Sequence, residues 1–326
     1  MTDLMALAEK GADHIVRHCG NLRADERALI VCDNHTRTLG ELLLKAAQSR
    51  TGSTRLLEIE DLGMHGVEPP QVVADAMHDA DVIYGITIRS MAHTQARGKA
   101  CRNGSRYLSL ADYTLELMGS EAVMVDYRVG AAKAKRVSDA FTDGTRVHVT
   151  TEAGTDIKLD IAGRIGNCCP GFVEGPGELG SPPDIEANVS PVETASTGIV
   201  VVDGSLPVPG FGLLSEPVIF HVADGGIVDF EGPASVIDPL KALFESFGTD
   251  KVYILAECGV GLNEKAELTG SMLTDEGALG TMHFGFGSNS TVGGTNDVAF
   301  HLDAVFRDAS LKVDDQPILE KGKLII

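Results

Sequence analysis

The sequence predicts an α/β protein, with a doubly wound N-terminal α/β domain over residues 1–145 and a β-rich α+β domain over residues 146–326. Strand-like and helix-like runs alternate in the first part, whereas short β runs dominate the second. A chain of 326 residues is also long for a single hydrophobic core. These three observations together indicate two domains of different architecture.

The first domain is predicted to hold a Rossmann-like parallel sheet. Its strands are expected at 27–33, 54–59, 81–88 and 106–111, where apolar residues form short runs. Helices are expected over the first 19 residues, at 38–49, at 70–79 after two prolines, and between the last two strands. Neither GxGxxG nor GxxxxGK[ST] follows a strand, so nucleotide binding is not expected.

The second domain is predicted from short β runs and turn signals. Strands are expected at 146–151, 156–161, 198–203, 217–221, 227–231, 252–256, 282–286 and 298–306, and one helix at 238–247. The turn at Asp224–Gly225–Gly226 is typical of a hairpin. A Gly/Pro-rich stretch, residues 167–183, is interpreted as a loop that covers a substrate.

Composition and charge exclude several classes of function. The net charge of −20, from 47 acidic and 27 basic residues, disfavours nucleic acid and anionic membranes as partners. No run approaches the roughly 18 apolar residues that span a bilayer. Six cysteines without a CxxC pair do not indicate a disulfide framework, so we expect a reduced, cytoplasmic protein.

Chemistry-bearing residues are densest near the end of the chain. In VAFHLDAVF, His301 and Asp303 are two residues apart, so a strand would point both to one face. His283 stands among glycines in GTMHFGFG, and Glu257 follows an apolar run that we interpret as a strand ending there. A hydrogen-bonded His–Asp pair, a core histidine and a solvated glutamate are the plain alternatives for these residues.

Together with Glu186, these residues offer two imidazoles and three carboxylates. That donor set suits Zn, Co, Mn or Fe(II), and three carboxylates are enough to hold two divalent ions. The spacing matches no short metal motif such as HExxH.

At these residues the sequence resembles the aminopeptidase T family of metal-dependent leucyl aminopeptidases. The shared features are AECGVG at Ala256–Gly261, DExxLGTMHFGFG at Asp275–Gly287, and GG followed by HLD at Gly293–Asp303. The resemblance implies two metal ions held by five residues, Glu186, Glu257, His283, His301 and Asp303. The chain departs from that family at Ser290, near the place where the family has a tyrosine.

The HLD ending, with the preceding SNSTVGG, is also similar to the related 2,5-dihydroxypyridine 5,6-dioxygenases, which open a ring with one Fe(II). By this resemblance, the dioxygenases have a histidine at the position of Glu257 and have no counterpart of His283. Glu257, His301 and Asp303 could then form a facial site, whereas two imidazoles and one carboxylate would require His283 in place of Glu257.

Three hypotheses follow for the function. The first is a metallohydrolase that cleaves an amide or peptide bond in a small substrate or short peptide, with Glu276 as general base and Arg97 as a clamp for a substrate carboxylate. The second is an Fe(II) ring-cleaving dioxygenase of a hydroxylated N-heterocycle. The third is a non-catalytic small-molecule binder on the same fold. By analogy with related enzymes, we expect a homodimer.

Overall fold

The structure is a computed structural model that describes residues 2–326. Within that range the helices, in chain order, are α1 Thr2–His14, α2 Arg37–Gln48, α3 Gln71–Asp79, α4 Gln95–Arg102, α5 Leu115–Met118, α6 Tyr127–Asp143, α7 Ala234–Glu245 and α8 Met272–Asp275. A π-helical turn, Ile15–Cys19, follows α1, and a 3-10 turn, Asp250–Tyr253, precedes a long strand. No helix in the described range is both long enough and apolar enough to cross a membrane.

The strands fall into three sheets. In chain order they are β1 Ala28–Asp33, β2 Thr54–Ile59, β3 Val82–Ile86, β4 Arg106–Ser109, β5 Arg146–Thr150, β6 Asp156–Asp160, β7 Asn167–Cys169, β8 Leu179–Gly180, β9 Glu186–Val189, β10 Thr197–Val202, β11 Ser205–Leu206, β12 Gly212–Leu213, β13 Val218–Ala223, β14 Gly226–Glu231, β15 Leu255–Gly261, β16 Thr281–Gly287, β17 His301–Arg307, β18 Ser310–Val313, β19 Gln316–Glu320 and β20 Lys323–Leu324.

The first of two compact units comprises residues up to Tyr127 and the segment Pro170–Pro183. Its sheet has the order β2-β1-β3-β4-β8, and every pairing in it is parallel. Strands β1 and β3 are buried along their whole length, as expected for a parallel sheet covered on both faces. Apolar residues of the strands and of α3 and α4 form the core, among them Leu29, Val31, Ile83, Val73, Met77 and Ala100.

The second unit comprises Arg128–Cys169 and Asp184–Ile326 and contains the other two sheets. One sheet has eight strands in the order β14-β13-β10-β6-β5-β18-β19-β20, and the other has seven in the order β12-β11-β17-β16-β15-β9-β7. Phe220 of the first sheet contacts Phe286 of the second, with ring centroids 5.6 Å apart. Phe284 and Phe306 pack beside each other on the seven-stranded sheet, with ring centroids 5.2 Å apart. The apolar face of the seven-stranded sheet therefore forms the core of this unit.

Most predicted elements are confirmed, including the parallel sheet of the first unit, the β-rich second unit and the hairpin that joins β13 to β14. Three boundaries were wrong. The last predicted strand begins at His301 rather than at residue 298. Helix α7 begins at Ala234, directly after Pro233, rather than at residue 238. The strand expected at 252–256 is replaced by the 3-10 turn and then β15, which runs through Glu257 to Gly261.

The division between the units differs from the boundary expected at residue 145. It falls at the start of α6, a helix that was not predicted from the sequence, and α6 packs within the second unit. Gly130 lies against Ile185, and Lys133 forms an ion pair with Glu264. The Gly/Pro-rich stretch is split as well, because β7 belongs to the second unit and Pro170–Pro183 to the first.

Candidate metal centre

The predicted ligands lie on one face of the seven-stranded sheet. Residues directly opposite each other in antiparallel strands share a face, and Gly285 is opposite both Glu257 and Asp303. His283 is two residues from Gly285 along β16, and His301 is two residues from Asp303 along β17, so both point to the same face. Glu186 is opposite Gly261 on β15 and joins the same face. The prediction that His301 and Asp303 point the same way is confirmed.

A β-bulge turns Glu257 towards this face. Leu255 pairs with Phe286, but Glu257 pairs with Gly285, so the register shifts by one residue at Ala256. Without the extra residue, Glu257 would point to the same side as Leu255 and into the apolar core. Glu257 therefore stands in the middle of a buried strand, and not at a strand end as the sequence suggested.

Two glycines make room for the side chains of the site. A Cβ on Gly259 would lie 2.1 Å from His283 Nε2, and a Cβ on Gly285 would lie 2.6 Å from His301 Nε2. Real Cβ atoms do not approach other atoms so closely, so a side chain at either position would displace an imidazole. Steric hindrance thus explains why glycine stands at these two positions beside the predicted ligands.

Two groups of three residues can each hold a metal ion, and they share Glu257. One group is Glu186, Glu257 and His283, and the other is Glu257, His301 and Asp303. Within each group one ligand atom per residue lies within 4.8 Å of the others. The structure therefore brings all five predicted ligands together, with Glu257 positioned to contact ions on both sides.

Within each group, most distances between donor atoms match those of ligands around a shared ion, and only the one between His283 and Glu257 is longer. His283 Nε2 is 3.3 Å from Glu186 Oε2 and 3.8 Å from a Glu257 oxygen. His301 Nε2 is 3.4 Å from Glu257 Oε2 and 3.2 Å from Asp303 Oδ1. Ligands bound at about 2.1 Å in tetrahedral or octahedral geometry lie about 3.0–3.4 Å apart. Glu186 Oε2, which is buried, has no hydrogen-bond partner among the described residues, so the donor set fits divalent ions.

The imidazoles and carboxylates of the cluster shift one another's pKa values. Burial disfavours the charged form of His283, but Glu257 and Glu186 outweigh it and raise the pKa of His283 to about 9. Burial acts in the same way on His301, and Asp303 and Glu257 raise its pKa well above the usual value. In turn, the imidazoles lower the pKa of Asp303 and of Glu257 against the effect of burial. A metal ion that bound to these two imidazoles would therefore displace protons from both.

Three further carboxyl groups retain their protons more readily than usual. Burial is the first cause for each of them, and neighbouring carboxylates add to it. The pKa of Glu186 rises to about 7, and those of Asp184 and Glu276 rise well above the normal range. An excess of acidic groups over imidazoles in a buried site favours the binding of cations, which would lower these pKa values.

Hydrogen bonds from outside the triads orient two of the predicted ligands. His301 Nδ1 lies 2.8 Å from the carbonyl oxygen of Ser288, which makes Nδ1 the donor and leaves Nε2 to face Glu257 and Asp303. Asn188 Nδ2 donates to Glu186 Oε1 at 2.7 Å, so Oε2 is left for His283 and an ion. Such contacts fix the direction of a ligand before an ion binds.

Sequence reasoning missed Asp184, Asn188 and the contact of Ser288. The alternation of polar and apolar residues in Asp184–Ile185–Glu186–Ala187–Asn188 was a usable signal, because it places three polar side chains on one face of an extended segment. The contact with Ser288 could not be identified, because a backbone carbonyl leaves no trace in the sequence.

The two residues assigned catalytic roles lie in different units. Glu276 follows α8 in the second unit, and Asp303 contributes to its raised pKa both by its charge and by a hydrogen bond. Arg97 lies in the first turn of α4, where its backbone N–H bonds the capping Thr94 and its Nε donates to the carbonyl of Ala92. The roles of both residues stay predictions.

Comparison with known proteins adds a family and two related folds. The family model described as NicX, 2,5-dihydroxypyridine 5,6-dioxygenase, matches residues 17–326. The 2,5-dihydroxypyridine 5,6-dioxygenase of Pseudomonas putida is 24% identical over 260 residues, which cover 77% of this chain and 72% of that protein.

Two solved structures share the fold. The structure of 2,5-dihydroxypyridine dioxygenase from Pseudomonas putida superposes with a TM-score of 0.84 at 18% identity, covering 98% of this chain and 97% of the other. AmpT from Thermus thermophilus superposes with a TM-score of 0.70 at 14% identity, covering 98% and 99%. These structures confirm the predicted fold class. The resemblance to aminopeptidase T holds for the fold, whereas the sequence family is that of the dioxygenases.

Proposed function

This chain belongs to the 2,5-dihydroxypyridine 5,6-dioxygenase family, and from that premise we propose that it is an Fe(II)-dependent enzyme that opens the ring of a hydroxylated N-heterocycle with O₂. The observation that carries the proposal is the match of the family model over residues 17–326, a range that contains all five ligand residues. The hydrolase hypothesis, which the sequence alone placed first, becomes the second candidate.

The triad of Glu257, His301 and Asp303 is the proposed iron site. Its imidazole is held by Ser288 with Nε2 directed at both carboxylates, and Asp303 and Glu257 are both buried. When bound there, Fe(II) would supply a redox-active centre for the reaction of O₂ with an electron-rich ring. Most iron oxygenases use two imidazoles and one carboxylate, whereas this triad has one imidazole and two carboxylates.

The chain's own residues control water and protons around that site. The face of the sheet opposite the ligands is filled by Phe284, Phe286 and Phe306, which are fully buried and exclude water from behind the ligands. Glu276 lies beside Asp303 and, with its raised pKa, holds a proton that it can donate to a developing charge on a substrate oxygen. A role for Glu276 as general base would instead require bound cations to lower its pKa.

Oxygen consumption tests the proposal directly. Protein loaded with Fe(II) without air is mixed with 2,5-dihydroxypyridine in an oxygen electrode, and loss of the ring absorbance is followed in parallel. We expect O₂ to disappear in step with the substrate, and His301→Ala to abolish both signals. Loss of substrate without O₂ uptake would contradict the proposal, and no loss with Fe(II) loaded would contradict 2,5-dihydroxypyridine as the substrate.

A metallohydrolase is the second candidate, because one specific feature favours it. Two triads that share Glu257 form an arrangement for two ions, and pairs of ions about 3.5–4 Å apart activate water in aminopeptidases and phosphatases. The similarity of fold to AmpT is in accord with this reading. In that case Glu186 and His283 would be essential, and hydrolysis of a small amide or peptide would proceed without consuming O₂.

A further inference from the structure

We propose that the loop of residues 288–300, which joins β16 to β17, orients one ligand in each of the two triads, and that Glu193 is the positioning residue that anchors this loop. The inference rests on the two triads, of which one is the iron site of the proposed function, but not on the reaction that takes place there. It gives a role to polar side chains of this loop, among them Asn289 and Thr295 in SNSTVGGTNDVAF.

The first connection runs from the loop to His301. The loop begins at Ser288, whose carbonyl oxygen accepts the hydrogen bond from His301 Nδ1 at 2.8 Å. Ser288 is held in turn by its backbone N–H, which donates to the carbonyl of Phe300 at 2.8 Å at the other end of the loop. The direction of the His301 ring therefore depends on the closure of the loop.

The second connection runs from the loop to Glu186 through two asparagines. Asn167 Nδ2 lies 3.1 Å from the carbonyl oxygen of Val292 and 2.8 Å from Asn188 Oδ1. Because Asn188 Oδ1 accepts that bond, its Nδ2 is turned to Glu186 Oε1 at 2.7 Å. The amide orientation of Asn188, and hence the choice of free oxygen on Glu186, is set by a chain of bonds that starts in the loop.

Glu193 anchors the loop with both carboxylate oxygens. Oε1 accepts from the backbone N–H of Thr295 at 2.7 Å, from its hydroxyl at 3.1 Å and from Asn289 Nδ2 at 3.0 Å. Oε2 accepts from Arg164 at 2.5 Å, and the same guanidinium donates to the carbonyl of Gly293 at 2.8 Å. The ion pair of Arg164 and Glu193 thus holds the loop at Gly293 and at Thr295.

Asn289 transmits this anchoring to the start of the loop. It is fully buried, its Oδ1 accepts from the backbone N–H of Asn296 at 2.7 Å, and its Nδ2 also donates to Ser190 Oγ at 2.9 Å. Asn289 directly follows Ser288, so a shift of Asn289 also moves the carbonyl oxygen of Ser288, which accepts the hydrogen bond from His301 Nδ1. Loss of Glu193 should therefore disturb both triads, whereas loss of Asn188 should disturb only the one that contains Glu186.

The test is the binding of Co²⁺ alone, measured by competition with a chromophoric chelator and by the visible spectrum of the bound ion. Glu193→Ala and the conservative Glu193→Gln are compared with Asn188→Ala and with Asn167→Ala, whose side chain is only partly buried. We expect Glu193→Ala to weaken binding at both sites by about 10-fold or more, as for other residues that support ligands. Asn188→Ala and Asn167→Ala should weaken one site and leave the other unchanged.

Two matched substitutions control for stability. Glu231→Gln removes a carboxylate that pairs with His221 elsewhere in the second unit, and Asn103→Ala removes an exposed amide in the first unit. Both should bind Co²⁺ as the wild type does. Wild-type affinity and spectrum in folded Glu193 and Asn188 variants would overturn the positioning role alone. Failure of the wild-type chain to bind Co²⁺ would overturn the metal centre itself, so the two failures are distinguishable.

Discussion

Gly285 lies against the imidazole of His301, because a Cβ at this glycine would stand 2.6 Å from His301 Nε2 and 2.7 Å from Cε1. The same Cβ would be 2.9 Å from the Cβ of Glu257, a backbone-anchored atom that cannot easily move. The space for two predicted ligands is thus provided by the absence of one side chain.

Gly285→Ala should therefore damage the metal centre while the fold is retained. We expect divalent metal affinity to fall by about 10–100-fold, since the ring of His301 must turn away from its partners. Titration with Co²⁺ measures the effect, and Gly52→Ala is the control because nothing lies within 4 Å of its Cβ. Unchanged affinity in Gly285→Ala would show that His301 is not a ligand.

Because Glu257 belongs to both triads, its substitution should change the number of metal ions bound per chain. Glu257→Gln should lose metal from both triads, whereas His283→Ala should lose only the ion of the triad that contains Glu186. Elemental analysis of protein reloaded without air measures the ions per chain. If His283→Ala retains as much metal as the wild type, the Glu186 triad holds no ion and a single-ion site remains.

Metal should also stabilise the folded chain through the same residues. An ion at about 100 times its dissociation constant raises the free energy of unfolding by about 2.7 kcal/mol. Thermal unfolding with and without Co²⁺ should show this gain in the wild type and in Glu231→Gln but not in Glu257→Gln. An equal gain in Glu257→Gln would place the binding site elsewhere in the chain.

The lowered pKa of Glu193 predicts that the free energy of unfolding falls at acidic pH. Burial would raise its pKa, but bonds from Thr295, Asn289 and Arg164 outweigh burial and lower it from 4.5 to about 2. A depressed pKa contributes stability that is complete above pH 4.5 and is lost as the pH falls towards 2. Glu193→Gln should remove about 1–2 kcal/mol of stability at neutral pH and flatten this acid-induced loss. Denaturant unfolding between pH 2 and 7 measures it, and the same slope in both proteins would contradict it.

The sequence predicted the parts of this molecule that depend on local pattern. His301 and Asp303 share a face because they are two residues apart in a strand, and that arrangement is independent of the rest of the chain. The parallel strands of the first unit were predicted for a similar reason, since buried strands such as β1 appear as continuous apolar runs.

The parts that were missed depend on contacts distant in sequence. The bulge at Ala256 is defined by pairing with β16, so the sequence suggested that Glu257 ended its strand. The unit boundary depends on the packing of α6 against Ile185 and Glu264, which are more than 50 residues away along the chain. The positioning of Glu186 by Asn188 required knowledge of which amide atom faces which neighbour.

The most direct test of the proposed function is isotope labelling with ¹⁸O₂. Protein loaded with Fe(II) is allowed to turn over 2,5-dihydroxypyridine under ¹⁸O₂, and the product is examined by mass spectrometry, with Asp303→Asn as the inactive control. The proposal predicts that both heavy oxygen atoms enter the ring-opened product. A product that carries no heavy oxygen from O₂, with label taken instead from H₂¹⁸O, would contradict it and would favour the hydrolase.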